Sequence, residues 1–128
     1  MIKHQKLMYF LSTLFCMTFT ILSYAQNSIK NIKIEKTNLG SELIIHLNED
    51  IPEKPKIFTT EKPATITIDF SETRLDVENN RVNVDRNGIK NIFAVETETK
   101  TRVIINLDNI VPFEYKAAKN QVVLAIPD

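Results

Sequence analysis

Tryptophan is absent from this 128-residue chain, cysteine occurs once, and neither sign of charge is in excess, with 16 Lys plus Arg against 16 Asp plus Glu. The length suits one domain and excludes a large multidomain enzyme. The single thiol, Cys16, lies near the start, and beyond residue 25 the sequence holds no Cys, no Met and one histidine, His46. Disulfides, thiolate nucleophiles and a Cys/His zinc site are thereby excluded from that part, and no metal or other cofactor is expected. Lack of tryptophan also argues against a strong sugar-stacking platform.

Long apolar runs are equally scarce. Positions 2 to 6 read Ile-Lys-His-Gln-Lys, the stretch Leu7 to Leu22 carries no charge, and Ser23-Tyr24-Ala25 offers a small-x-small exit. A basic start, an apolar run shorter than a membrane span and such an exit predict a signal peptide over residues 1–25, cleaved after Ala25. The alternative is an uncleaved N-terminal anchor; either way the domain over residues 26–128 is exported, with no membrane span left after cleavage. Cys16 sits inside the apolar stretch and offers no lipid attachment site. Without Lys3 and Lys6 the remaining 103 residues hold 14 basic and 16 acidic groups, a formal charge of −2. That balance excludes a basic footprint for nucleic acid.

What the domain does have is β-branched residues: 15 Ile, 8 Val and 9 Thr against 6 Leu after residue 25. Stiff at χ1, these side chains suit a pleated surface better than a helix. Ala64-Thr-Ile-Thr-Ile-Asp-Phe70 alternates, with Ile66, Ile68 and Phe70 on one face and Thr65, Thr67 and Asp69 on the other. The segments 42–47, 102–107 and 121–126 repeat the pattern, and 28–35, 57–60, 82–85, 89–97 and 113–117 are weaker candidates. Ile89, Ile92, Phe93 and Glu96 also match a helical spacing; their β-branched and aromatic content favours a strand. Lys119-Asn120 joins two alternating runs as a hairpin. These features predict an all-β fold, a small antiparallel β-sandwich of about eight or nine short strands, whose outward faces are left for binding.

Pro63-Ala-Thr-Ile-Thr-Ile-Asp-Phe70, Asn83-Val-Asp85, Gly88-Ile-Lys-Asn-Ile92, Val95-Glu96, Thr101-Arg-Val-Ile-Ile-Asn-Leu107, Val111-Pro-Phe113 and Asn120-Gln-Val-Val-Leu124, in this order, resemble the AMIN domain. The match is closer to the branch found near the N-terminus of type IV pilus secretins (PilQ-type) than to that of N-acetylmuramoyl-L-alanine amidases. The resemblance implies a non-catalytic β-sandwich that binds peptidoglycan in the periplasm and holds a pilus or secretion component at the cell wall. Type IV pilus assembly proteins are the alternative partners. Because the chain stops at Asp128, two residues past the last strand, it is expected to be either a free-standing module or the product of a shortened secretin gene, unable alone to form a pore or cleave wall.

Arg102 and Asn106 share one strand face, opposite Val103, Ile105 and Leu107. A planar guanidinium with five donors suits a carboxylate or sugar hydroxyls, while the commoner fate of such a residue is a cross-strand pair, here with Asp69. Resemblance to the family singles out Asp69 and Arg102 on its two central strands. Thr65 and Thr67 offer hydroxyls beside Asp69, although a threonine row is also ordinary strand chemistry. Phe70 and Phe93 are read as core residues, and Tyr115 as outward and amphipathic, which makes it the stacking candidate. His46 reads as a solvated strand histidine without partners. Glu49, Asp50 and Glu53 read as solvated loop charges, and no nucleophile, base and orienting group can be assembled for catalysis. The glycan-binding candidates are therefore Arg102, Asn106, Asp69, Thr67 and Tyr115.

Overall fold

The structure, a computed structural model, describes residues 26–128. The leader expected over residues 1–25 lies outside the described residues. Ten strands form: β1 (Asn27–Lys36), β2 (Gly40–Leu47), β3 (Lys56–Glu61), β4 (Ala64–Ser71), β5 (Thr73–Leu75), β6 (Arg81–Arg86), β7 (Ile89–Glu96), β8 (Lys100–Leu107), β9 (Glu114–Ala118) and β10 (Gln121–Pro127). They make two five-stranded sheets, of order β5-β1-β2-β10-β9 and β3-β4-β8-β7-β6. Among the described residues there is no helix, so none long and apolar enough to cross a membrane. The all-β sandwich expected from the alternating runs is the fold observed.

Burial of the inner faces holds the two sheets together. Leu43 and Ile45 of β2 and Val122 and Leu124 of β10 meet Ile66 and Ile68 of β4 and Val103 and Ile105 of β8 in one core, all of them fully buried. Burial of each such side chain contributes roughly 1.5–3 kcal/mol. Since side chains alternate, every residue between these positions is sent to the outer face of its sheet.

Three register shifts interrupt the pairing, one of them in β6 between Asn83 and Arg86, and the other two reset that alternation for core residues. In β7 the register against β8 shifts between Ile89 and Asn91, and in β1 the register against β2 shifts between Ile29 and Asn31. The extra residue, Lys90 or Lys30, lets Ile89 and Ile92, and likewise Ile29 and Ile32, face the core at a spacing of three. The helical spacing in segment 89–96 is thus the trace of a bulged strand.

One strand more forms than the nine candidate segments. β5 has only three residues, too few to show alternation, and it lies parallel to β1, the one departure from antiparallel pairing. The chain leaves β4 at Ser71, turns through Glu72 at φ 48°, and crosses to the other sheet as β5. Thr101 anchors the crossing by donating its hydroxyl to the Thr73 carbonyl at 2.7 Å. Strands that change sheets in this way make the corners of a sandwich.

Gly40 opens β2 where it passes β10 closely. A Cβ there would lie 2.2 Å from the Ile126 carbonyl oxygen and 2.7 Å from Pro127 Cα, whereas one at Gly88, at φ 76°, would meet nothing within 4 Å. Gly40→Ala is therefore expected to destabilise the domain by about 2–3 kcal/mol through backbone overlap. Gly88→Ala should lose only about 1 kcal/mol, from its left-handed backbone. Urea denaturation of the two variants checks the difference.

Candidate functional site

Register across the sheet β3-β4-β8-β7-β6 decides which side chains meet on its outer face. Directly opposite residues across adjacent strands stand about 5 Å apart. One row runs Lys56, Asp69, Arg102, Val95 from β3 to β7. The next runs Phe58, Thr67, Ile104, Phe93 and, on β6, Arg81. The third runs Thr60, Thr65, Asn106, Asn91, Asn83. A charged row, a largely apolar and aromatic row and an uncharged polar row thus lie side by side on one open surface.

In the charged row, Arg102 grips Asp69 with two parallel bonds. Its Nε donates to Oδ1 at 2.8 Å and its Nη2 to Oδ2 at 2.9 Å, and Lys100 Nζ reaches Oδ2 at 3.2 Å. The Asp69 side chain is only 5% exposed although it points to the water side, because the two longer side chains lie over it, Arg102 itself being 42% exposed. Long cationic side chains cover a neighbour in this way while keeping their heads wet. The Arg102 hydrogen bonds hold the Asp69 carboxyl below the usual carboxylate range, against the opposing effect of burial, with Lys100 assisting. The Arg102 pKa is correspondingly raised, first by its hydrogen bond to Asp69.

The polar row is partly bonded to itself. Asn106 Nδ2 donates to Asn91 Oδ1 at 2.7 Å, which leaves the Asn106 carbonyl and the Asn91 amide without a protein partner among the described residues. Thr60 donates its hydroxyl to the Pro63 carbonyl at 2.6 Å, so the 2.6 Å contact between the Thr65 and Thr60 hydroxyls runs from Thr65 to Thr60. Thr65 keeps free acceptor capacity. In the middle row the Arg81 guanidinium stands 5.1 Å from the centre of the Phe93 ring, a cation–π arrangement that orients both. Phe58 is 48% exposed at the other end of that row.

Four of the five residues predicted from the sequence, Arg102, Asn106, Asp69 and Thr67, therefore come together on one face. Asp69 is nevertheless 4% exposed with both oxygens engaged, and its bonds hold the Arg102 guanidinium in place. The outward reading of Tyr115 is corrected. Tyr115 opposes Leu124 across β9 and β10, packs against the core, and buries a hydroxyl that has no partner among the described residues. Burial pushes its phenol up. The hairpin at Lys119-Asn120 carries that information, since counting back from it pairs Tyr115 with inward Leu124.

Phe93 is corrected in the opposite sense. The bulge at Lys90 turns Ile92 and Ala94 inward and leaves Phe93 on the open face beside Ile104. Asn91 and Phe58 join the face as well; their signal in the sequence is the pairing with Asn106 and Thr67, which requires the strand register. His46 lies half-buried on the outer face of the other sheet, paired with Asn31 and Gln121. Among the described residues no cluster of His, Cys, Asp or Glu fits a metal ion.

Grooves occur at an end of the sandwich and at the β6 border of this face. One of about 260 Å³ is lined by Leu39, Phe113 and Pro127 at an end of the sandwich, and one of about 490 Å³ runs beside Ile32, Val77 and Arg81. The three rows themselves form an open surface, suited to a ligand laid along it rather than one enclosed.

Comparison with known proteins gives one match: a family model described as AMIN domain aligns with residues 31–126. No curated protein and no solved structure matches the chain.

The Asp69–Arg102 pair should respond unequally to removal of its two halves. Arg102→Ala leaves a covered carboxylate with Lys100 alone and is expected to destabilise by about 1–3 kcal/mol, discounted toward the lower end because water reaches the site. Asp69→Asn leaves a half-exposed guanidinium that can be hydrated, for about 1 kcal/mol or less. Because the folded-state carboxyl pKa is depressed, its stabilisation is complete above about pH 4 and is lost as pH falls from there through the folded value. Urea midpoints at pH 7 and pH 3 should show a smaller acid loss for Asp69→Asn than for the unaltered protein.

Proposed function

Because the chain belongs to the AMIN domain family, we propose that its open β3-β4-β8-β7-β6 face is the surface that binds peptidoglycan, on an exported protein of type IV pilus secretin kind held at the cell wall. AMIN domains are periplasmic peptidoglycan-binding modules rather than enzymes. The observation that carries the assignment to this face is the register. It gathers Arg102, Thr67, Asn106 and Asn91 with Phe58 and Phe93, and leaves unused donors and acceptors beside apolar surface. A glycan has this mixture of hydroxyl and amide groups with flat apolar ring faces. Phenylalanine supplies the aromatic surface that the absence of tryptophan leaves open.

The mechanism is reversible, many-point adhesion. Each hydrogen bond replaces one to water and adds about 1 kcal/mol, so several must form together over the face. The module raises the local concentration of whatever component it carries at the wall. The carried component, in this reading, belongs to the pilus or its secretion machinery.

A second reading, docking onto pilus assembly proteins, is favoured by one feature. β3 ends its sheet with one side unpaired and presents Phe58, a template for an added strand. Co-purification of pilus assembly proteins that survives muramidase treatment would favour this reading over wall adhesion.

Purified protein mixed with sacculi is expected to sediment with them. The double variant Phe58→Ala with Phe93→Ala, and separately Asn91→Ala, should weaken sedimentation by about tenfold, the effect of losing a contact worth roughly 1.4 kcal/mol. Lys116→Ala, on the outer face of the other sheet opposite Val123, should leave it unchanged. Equal losses from both faces would overturn the assignment.

A further inference from the structure

The three rows are chemically polarised along the strands, and that polarity divides the face. Around the covered Asp69 stand three cationic groups, Lys56 opposite it on β3, Arg102 opposite it on β8, and Lys100 at 3.2 Å, so on the face its one negative charge is met by three positive ones. Four residues further along the same strands, about 13 Å away, the row of Thr60, Thr65, Asn106, Asn91 and Asn83 carries no charge. A ligand laid along the strands therefore meets an anion-seeking end and a neutral, amide-rich end.

Arg102 is pre-set for the first of these. The edge of its guanidinium formed by Nε and Nη2 is occupied by Asp69. Of its five donors, the two on Nη1 and the second on Nη2 have no partner among the described residues. Those three include the end-on fork of Nη1 and Nη2, which matches a carboxylate in the same bidentate manner as the occupied edge. Asp69 fixes the plane of the guanidinium, so little further ordering accompanies binding. Lys100, bonded to Asp69 Oδ2, and Lys56, opposite Asp69 on β3, offset the negative field of Asp69.

We propose that this end of the face takes a free carboxylate of the stem peptide, through the open fork of Arg102 with Lys56 and Lys100 as further cations on the same face, while the amide row holds the uncharged glycan. The assignment rests on the preceding reading of this face as the peptidoglycan-binding surface and adds a direction and a charge requirement to it. Asp69 is here a positioning residue that acts through Arg102.

Two preparations of sacculi test it, one native and one with its carboxyl groups converted to amides by carbodiimide and ammonia. Amidation is expected to weaken binding of the unaltered protein by about tenfold, and the loss should shrink as salt is raised. Lys56→Gln, at an exposed position that makes no ion pair among the described residues, should weaken binding to native sacculi severalfold and change binding to amidated sacculi little. Asn91→Ala should lose equally on both. Equal binding of the unaltered protein to native and amidated sacculi would overturn the carboxylate assignment and leave the face assignment standing. Failure to bind either preparation would overturn both.

Discussion

Contact between the inner faces of the two sheets is the constraint from which the rest follows. The described domain has no cysteine, hence no covalent staple, and no cluster of side chains fit for a metal. Its cohesion beyond strand pairing comes from Ile66, Ile68, Val103 and Ile105 pressed on Leu43, Ile45, Val122 and Leu124. With a side-chain period of two, fixing these residues inward fixes their neighbours outward, and a one-residue slip would exchange the faces. The positions of Thr67, Ile104 and Asn106 are consequences of the core as much as of any ligand.

A buried carboxylate on a water-facing surface is the main exception to this division of apolar and polar. Asp69 is covered by cationic side chains, not by apolar packing, so its charge is matched where it stands. The arrangement splits roles that the sequence suggested were shared. Asp69 orders, and Arg102 remains partly available. Such a pair links the stability of the sheet to the geometry of its surface, because the bonds that satisfy the carboxylate are the ones that hold the guanidinium flat.

Much of this was legible in the residues. Nine of the ten strands announce themselves by alternation or by β-branched and aromatic content, and counting in twos places Arg102, Asn106, Asp69 and Thr67 on outward faces. The failures have local causes. At Lys90 an inserted residue breaks the count, which disguised β7 as a possible helix and sent Phe93 to the wrong side. Tyr115 taken alone reads as amphipathic and outward, whereas its hairpin partner Leu124 decides its direction. β5 has three residues and takes its identity from a parallel neighbour distant in sequence, information that no short window contains. Face-level grouping of Phe58, Thr67, Ile104 and Phe93 likewise requires the pairing of four strands.

The openness of the three-row face bears on what kind of molecule can use it. A deep cleft or tunnel must be entered from an end, or must open to admit its ligand, and so favours small molecules and chain termini. A surface without walls is approached sideways. A long cross-linked polymer can settle on it anywhere along its length, and can leave without being threaded out or cut. For a meshwork with few free ends, nearly every segment is then a landing place. On the proposed reading, such a surface lets the domain pass from one to the next by releasing a few contacts at a time.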